Sequence, residues 1–176
     1  MKSLLLTVLL LGLVAVLKAQ EAPSDDQEDF SGIWYTKAAV CDRNHTDRNK
    51  PMKVFPMTVT ALEGEDLEVQ ITFWRKGQCH MKKILMHKTE EPRKYTAFRG
   101  KKVFYIHEIP VKDHCIFYYE GQNHGKSHRK GKLVGRDPEE NPEAMEEFKK
   151  FVKSKGFQEK NIFVPEQLDQ CVAESD

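Results

Sequence analysis

The sequence predicts an all-β domain, an eight-stranded antiparallel up-and-down barrel with one C-terminal α-helix packed outside it. Three observations carry this. From Trp34 to Gly135 the chain breaks into short segments rich in β-branched and aromatic residues, each ended by turn residues. No helical period interrupts them, so successive segments read as hairpins, and closing such a run into a barrel removes its exposed edges. One stretch with a 3.6-residue apolar period then follows, between Arg136 and Gly156.

Ahead of the strands stands "MKSLLLTVLLLGLVAVLKAQ". Lys2 supplies a positive start, Leu4 to Leu17 an apolar run, and Ala19 a small residue before Gln20. That order is a secretory signal peptide over residues 1–19, leaving a domain over residues 20–176. The apolar run, about 14 residues, is shorter than the roughly 20 that span a bilayer. The product is therefore expected to be secreted and extracellular, without membrane insertion. Gln20 to Asp29 is polar and acidic and reads as a loose leader.

The first strand surrounds Trp34. The next are Met52–Leu62, ended by Glu63-Gly64, and Leu67–Trp74, ended by "RKGQ". His80–Lys88, Lys94–Phe98, Lys102–Ile109, Cys115–Glu120 and Arg129–Gly135 complete the eight. Beyond them, Asp137 with Pro138 and Glu140 suits a helix start, and Asn141-Pro142 offers a second one. Met145, Phe148, Phe151 and Val152 form the apolar stripe that docks on the barrel, and Gly156 suits the position after the last turn.

Charge excludes some partners. The chain has 28 Lys and Arg against 27 Asp and Glu, and losing Lys2 and Lys18 turns a net +1 into about −1. A balanced surface gives nucleic acid no footprint. The one basic run, "GKSHRKGK" (Gly125–Lys132), lacks interleaved aromatics and reads as a solvated hairpin. Four cysteines remain after export: Cys41, Cys79, Cys115 and Cys171. An oxidising compartment favours at least one disulfide, and the spacing alone leaves three complete pairings open. None forms a CxxC, which argues against a zinc ribbon or a thiol-exchange site. Asn44 opens the sequon "NHT", a glycan acceptor on an exported chain.

Signatures of catalysis are missing. The seven His residues are scattered without a metal-ligand pattern, and no G-x-S-x-G, P-loop or dinucleotide fingerprint occurs. The chain reads as a binding protein rather than an enzyme, with neither metal nor cofactor.

Gly32-Ile33-Trp34 on the first strand, together with "KLVGRDP" (Lys132–Pro138) after the last, resembles the first and third motifs of lipocalins. "PMTVTALEGEDLE", "HKTEEPRKYTA" and "IFYYEG" resemble the odorant-binding and tear or von Ebner's gland branch of that family. The resemblance covers essentially the whole chain after residue 19. The second motif, usually T-D-Y, is reduced to "VKDH" (Val111–His114). The resemblance implies that Trp34 fills the closed end of the barrel with Arg136 stacked on it, and that Phe30 and Gly32 close that end. It also implies a disulfide between Cys79 and Cys171, worth about 4–5 kcal/mol in a chain-entropy model. Cys41 and Cys115 then remain as thiols.

A lipocalin barrel holds one small ligand. On alternation alone, Met57, Val59, Val69, Ile71, Phe73, Ile84, Met86, Phe104 and Ile106 share a face, and they would simply fill a core. The resemblance makes that face the lining of a cavity. Phe117 and Tyr119 are assigned to it from a strand apolar on both faces. Lys82 shares the phase of Ile84 and either projects into the cavity or turns outward with Lys83. The function implied is a carrier of odorants, aldehydes or fatty acids in mucosal fluid, a monomer or weak dimer, with a cell-surface receptor as a second partner. The alternatives are a thiol-dependent isomerase using Cys41 or Cys115, and a loop-mediated protease inhibitor or signalling protein.

Overall fold

The computed structural model describes residues 29–42 and 52–171. The signal peptide expected over residues 1–19 and the sequon residue Asn44 lie outside them. Contacts divide the chain into Met1–Phe30, of which only Asp29 and Phe30 are described, and Ser31–Asp176, which holds the fold.

Among the described residues ten strands form: β1 Gly32–Cys41, β2 Lys53–Val54, β3 Met57–Ala61, β4 Leu67–Arg75, β5 Gln78–Lys88, β6 Lys94–Ala97, β7 Lys102–Glu108, β8 His114–Asn123, β9 Lys126–Gly135 and β10 Glu166–Gln167. Eight of them close an antiparallel barrel in the order β1-β3-β4-β5-β6-β7-β8-β9, the last pairing back on β1. The expected strand Met52–Leu62 is split in two. Pro56 has no N–H for a ladder, so β2 leaves the barrel and pairs in parallel with β10. Neither two-residue strand has a period from which it could be foreseen.

The helix α1, Pro142–Ser154, starts at the second of the two candidate sites. Asn141 caps it, its Oδ1 accepting from the Ala144 N–H at 3.0 Å. Asp137 instead accepts from the Glu139 N–H and from Lys37. Ala144, Phe148, Phe151 and Val152 bury one stripe against Ala38, Val40, Ile116, Tyr118 and Leu133, joined by Phe157. This cluster lies between α1 and the outer wall of β1, β8 and β9. It tells which way each strand faces, because residues covered by the helix are on the outside.

The tail is tied down beyond α1. Phe163 bridges Ala39 through two backbone hydrogen bonds of 2.9 and 3.0 Å, and Gln167 donates to the Thr36 carbonyl. Cys171 then bonds to Cys79, with the Cα atoms 5.8 Å apart.

Candidate functional site

Period-two alternation places the opposite side chains of β8 and β9 inside the barrel. Since Ile116, Tyr118 and Leu133 meet the helix, Phe117, Tyr119, Lys130 and Lys132 face inward. Directly opposed residues on paired strands share a face, so the register extends this assignment around the barrel. Phe104 lies opposite Tyr119 and Ile106 opposite Phe117. On the far wall Trp34 faces Met57, Val59 faces Val69, Val69 faces Ile84, and Leu67 faces Met86. Ile71 is opposite Lys82 and Phe73 opposite His80, whose rings stack at 5.4 Å. The nine residues read from alternation thus share one face with Phe117 and Tyr119, and Lys82, open in the sequence between two orientations, takes the phase of that face. Lys83 points the other way, 3.8 Å from Glu68.

The face has two levels. Toward the end marked by Trp34, the side chains Met57, Val59, Val69, Met86, Ile106 and Val134 are buried. Farther along the same strands Ile71, Phe73, Ile84, Phe104, Phe117 and Tyr119 are only half-buried. Their neighbours on the outer wall, Ile116 and Tyr118, are sealed under the helix. Half-exposed apolar side chains on the inside of a closed barrel border open space rather than packed core.

The closed end explains the first and third sequence motifs as one device. Trp34 is 4 % exposed, and the Arg136 guanidinium lies 3.7 Å from its ring centre. Arg136 also donates to the carbonyl oxygens of Ser31 at 2.8 Å and Ile33 at 3.3 Å. Gly32 has φ +106°, and a Cβ there would stand 3.0 Å from Arg136 Nη1. Beside it a second group is buried: Lys37 Nζ lies 2.6 Å from His114 Nε2 and 3.2 Å from Asp137. His114 Nδ1 is 2.8 Å from the Lys112 carbonyl, so that nitrogen carries the proton and Nε2 accepts from the ammonium.

Among the described residues Lys82, Lys102, Lys130 and Lys132 lie on the inner face beside the apolar lining, and of these only Lys82 was weighed for it from the sequence. Lys82 and Lys102 flank the Phe98 ring at 4.9 and 4.7 Å, and Lys102 also lies 5.6 Å from the Tyr119 ring. Lys102 loses basicity through burial and then through Lys82. Lys130 and Lys132 correct the reading of "GKSHRKGK" as a solvated hairpin. Only its start turns in solvent; Lys130 lies opposite Tyr119 and Cys41, Lys132 opposite Phe117 and Ala39. Burial pushes Lys130 down. It pushes Lys132 down further, to about 7, with the charge of Lys130 adding to the effect. A buried cation breaks the inside-apolar rule, so hydrophobic alternation could not find it. The signal available was the phase of Leu133, once that residue is known to meet the helix.

The disulfide joins Cys79 and Cys171, and Cys41 and Cys115 are thiols. Both thiols share the inner face. Cys41 lies opposite Lys130, while Cys115 is deeper, between Glu108 and Val134. Among the described residues no group of three or more His, Cys, Asp or Glu converges on a metal position.

Comparison with known proteins agrees with this geometry. Residues 31–169 match the model of the lipocalin / cytosolic fatty-acid binding protein family. The chain is 56 % identical to odorant-binding protein 2a of Mus musculus, the match covering all of both chains. It is 47 % identical to lipocalin-1 of Sus scrofa and 45 % to von Ebner gland protein 1 of Rattus norvegicus, over 97 % of each chain. Among solved structures the siderocalin Ex-FABP superposes with a TM-score of 0.70 at 19 % identity, covering 80 % of this chain and 96 % of that one. That likeness concerns the fold.

Proposed function

The chain belongs to the lipocalin family, and on that premise we propose that it is a secreted carrier which takes up small hydrophobic molecules in its lumen. Odorants, aldehydes and fatty acids are the ligand classes, and solubilisation and transport in mucosal fluid are the task. The observation that carries this reading is the two-level inner face, sealed around Trp34 and half-open from Ile71 to Tyr119. Met57, Val59, Val69, Ile71, Phe73, Ile84, Met86, Phe104, Ile106, Phe117 and Tyr119 form the apolar lining in this reading. Flexible Met side chains and flat rings adapt to many shapes, which gives broad selectivity.

Lys82, Lys102, Lys130 and Lys132 add the polar anchors. An apolar wall with a few charged groups favours a long alkyl chain ending in a carboxylate or a carbonyl over a fully apolar molecule. Secretion follows from the signal peptide read at residues 1–19, with Gln20 as the mature N-terminus.

Native mass spectrometry of the protein from its own secretion, with solvent extraction of what it carries, tests the reading. Recovery of lipophilic molecules in one-to-one complexes is the expected result. A barrel that is empty and takes up no hydrophobic fluorescent probe overturns it.

A further inference from the structure

We propose that Cys41, Lys130 and Lys132 together form a covalent capture site for α,β-unsaturated aldehydes on the wall of the lumen. The proposal rests on the carrier reading and deepens it, since the same cavity must first admit the ligand.

Two placements and one electrostatic effect support the site. Cys41 ends β1 directly across from Lys130, which is itself across from Tyr119, so all three stand in one row on the inner face. The thiol and its neighbours are electrostatically coupled: Cys41 favours the Lys130 ammonium, against a larger effect of burial, and raises the Tyr119 phenol after burial. Lys132 stands in the next row of the same face, between Ala39 and Phe117. Among the described residues no hydrogen bond or ion pair is formed by its ammonium, although the barrel encloses it. A buried amine without a partner is costly, and a ligand oxygen would satisfy it.

The chemistry selects the ligand class. A thiolate is a soft nucleophile with a stronger affinity for an activated C=C bond than for a carbonyl carbon, where only a labile adduct forms. Lys130, with its basicity lowered by desolvation, takes the Cys41 proton in its amine form. The sulfur forms a bond to the β-carbon while the C=C π pair moves toward the carbonyl, and Lys132 donates a hydrogen bond to the resulting enolate oxygen. The proton held by Lys130 then passes to the α-carbon. Thiol and enal become one saturated thioether aldehyde, with nothing oxidised and nothing released. Cys115 lacks this setting, because its row holds Glu108 and Val134 and no lysine.

Incubation of the intact protein with trans-2-nonenal or with nonanal, followed by intact mass spectrometry and peptide mapping, tests the proposal. One added mass of 2-nonenal, mapped to Cys41, is expected, with no stable adduct from nonanal. Cys41→Ser abolishes the adduct, and Lys130→Met slows its formation about tenfold or more. Wild-type protein that binds 2-nonenal reversibly without gaining mass overturns the capture site while leaving the carrier reading intact. An adduct mapped to Cys115, or to surface His or Lys, also overturns it. Failure of the wild type to take up any hydrophobic probe would overturn the carrier reading instead.

Discussion

The guanidinium of Arg136, just after β9, lies 3.7 Å from the ring centre of Trp34 in β1 and donates to the Ser31 and Ile33 carbonyls on either side of Gly32. Stacking and hydrogen bonding by one group make the first and last barrel strands interdependent. Arg136→Ala is expected to destabilise by about 2–4 kcal/mol. Arg136→Lys recovers less than half, because an ammonium lacks the planar fork. Urea unfolding followed by tryptophan fluorescence measures this, and an unchanged midpoint in Arg136→Ala counts against the coupling.

Phe148 is completely buried between α1 and the outer wall. Phe148→Ala leaves a cavity and costs about 3–5 kcal/mol. The loss appears in thermal unfolding. Probe uptake by the protein that remains folded is unchanged, because Phe148 lies outside the barrel.

Gly135 has no room for a side chain. A Cβ there would lie 2.8 Å from His114 Nε2 and 2.9 Å from Lys37 Cε. Gly135→Ala is expected to cost about 1–3 kcal/mol by forcing this buried pair apart. The double variant Gly135→Ala/His114→Ala costs less than the sum of the two single changes, a non-additivity that a double-mutant cycle in urea reads directly.

Lys132 is expected to make both stability and ligand choice depend on pH. In the fold it holds its proton only to about 7, whereas an unfolded chain holds it to about 10.5. Between these values the unfolded state binds more protons, so this group's burial penalty is greatest below pH 7 and fades as pH rises through the window. Lys132→Met removes that slope and raises stability at neutral pH. A bound carboxylate favours the ammonium, so fatty-acid affinity should fall about tenfold from pH 6.5 to 8.5, while a neutral odorant shows no such change. Fluorescence displacement at the two pH values, with wild type and Lys132→Met, checks both statements. Equal slopes for the acid and the neutral ligand would sink the second.

The fold was legible because strands and helix each carry their period in the sequence. Gly32, Trp34 and Arg136 were legible as motifs, and the wall from Met57 to Ile106 as alternation. Other features depend on distant contacts. Lys37 lies in a β-bulge between Thr36 and Ala38, which breaks the phase of β1, and its partner His114 is 77 residues away. Lys130 and Lys132 oppose the hydrophobic pattern, since they place charge where apolar groups are the rule. Asp137 and Asn141 were equally good caps locally; Lys37, brought near by the barrel, engages Asp137 and leaves the helix to Asn141.

The alternation of β9 has a wider consequence. Gly131 and Leu133 lie under the helix, while Lys130 and Lys132, interleaved with them, look the other way. The contacts that hold the helix and the groups that face the lumen are therefore carried by alternate residues of one strand. Substitutions at the second set can retune what the vessel accepts without disturbing the joint that holds it together, whereas a single-residue insertion would exchange the two sets and ruin both.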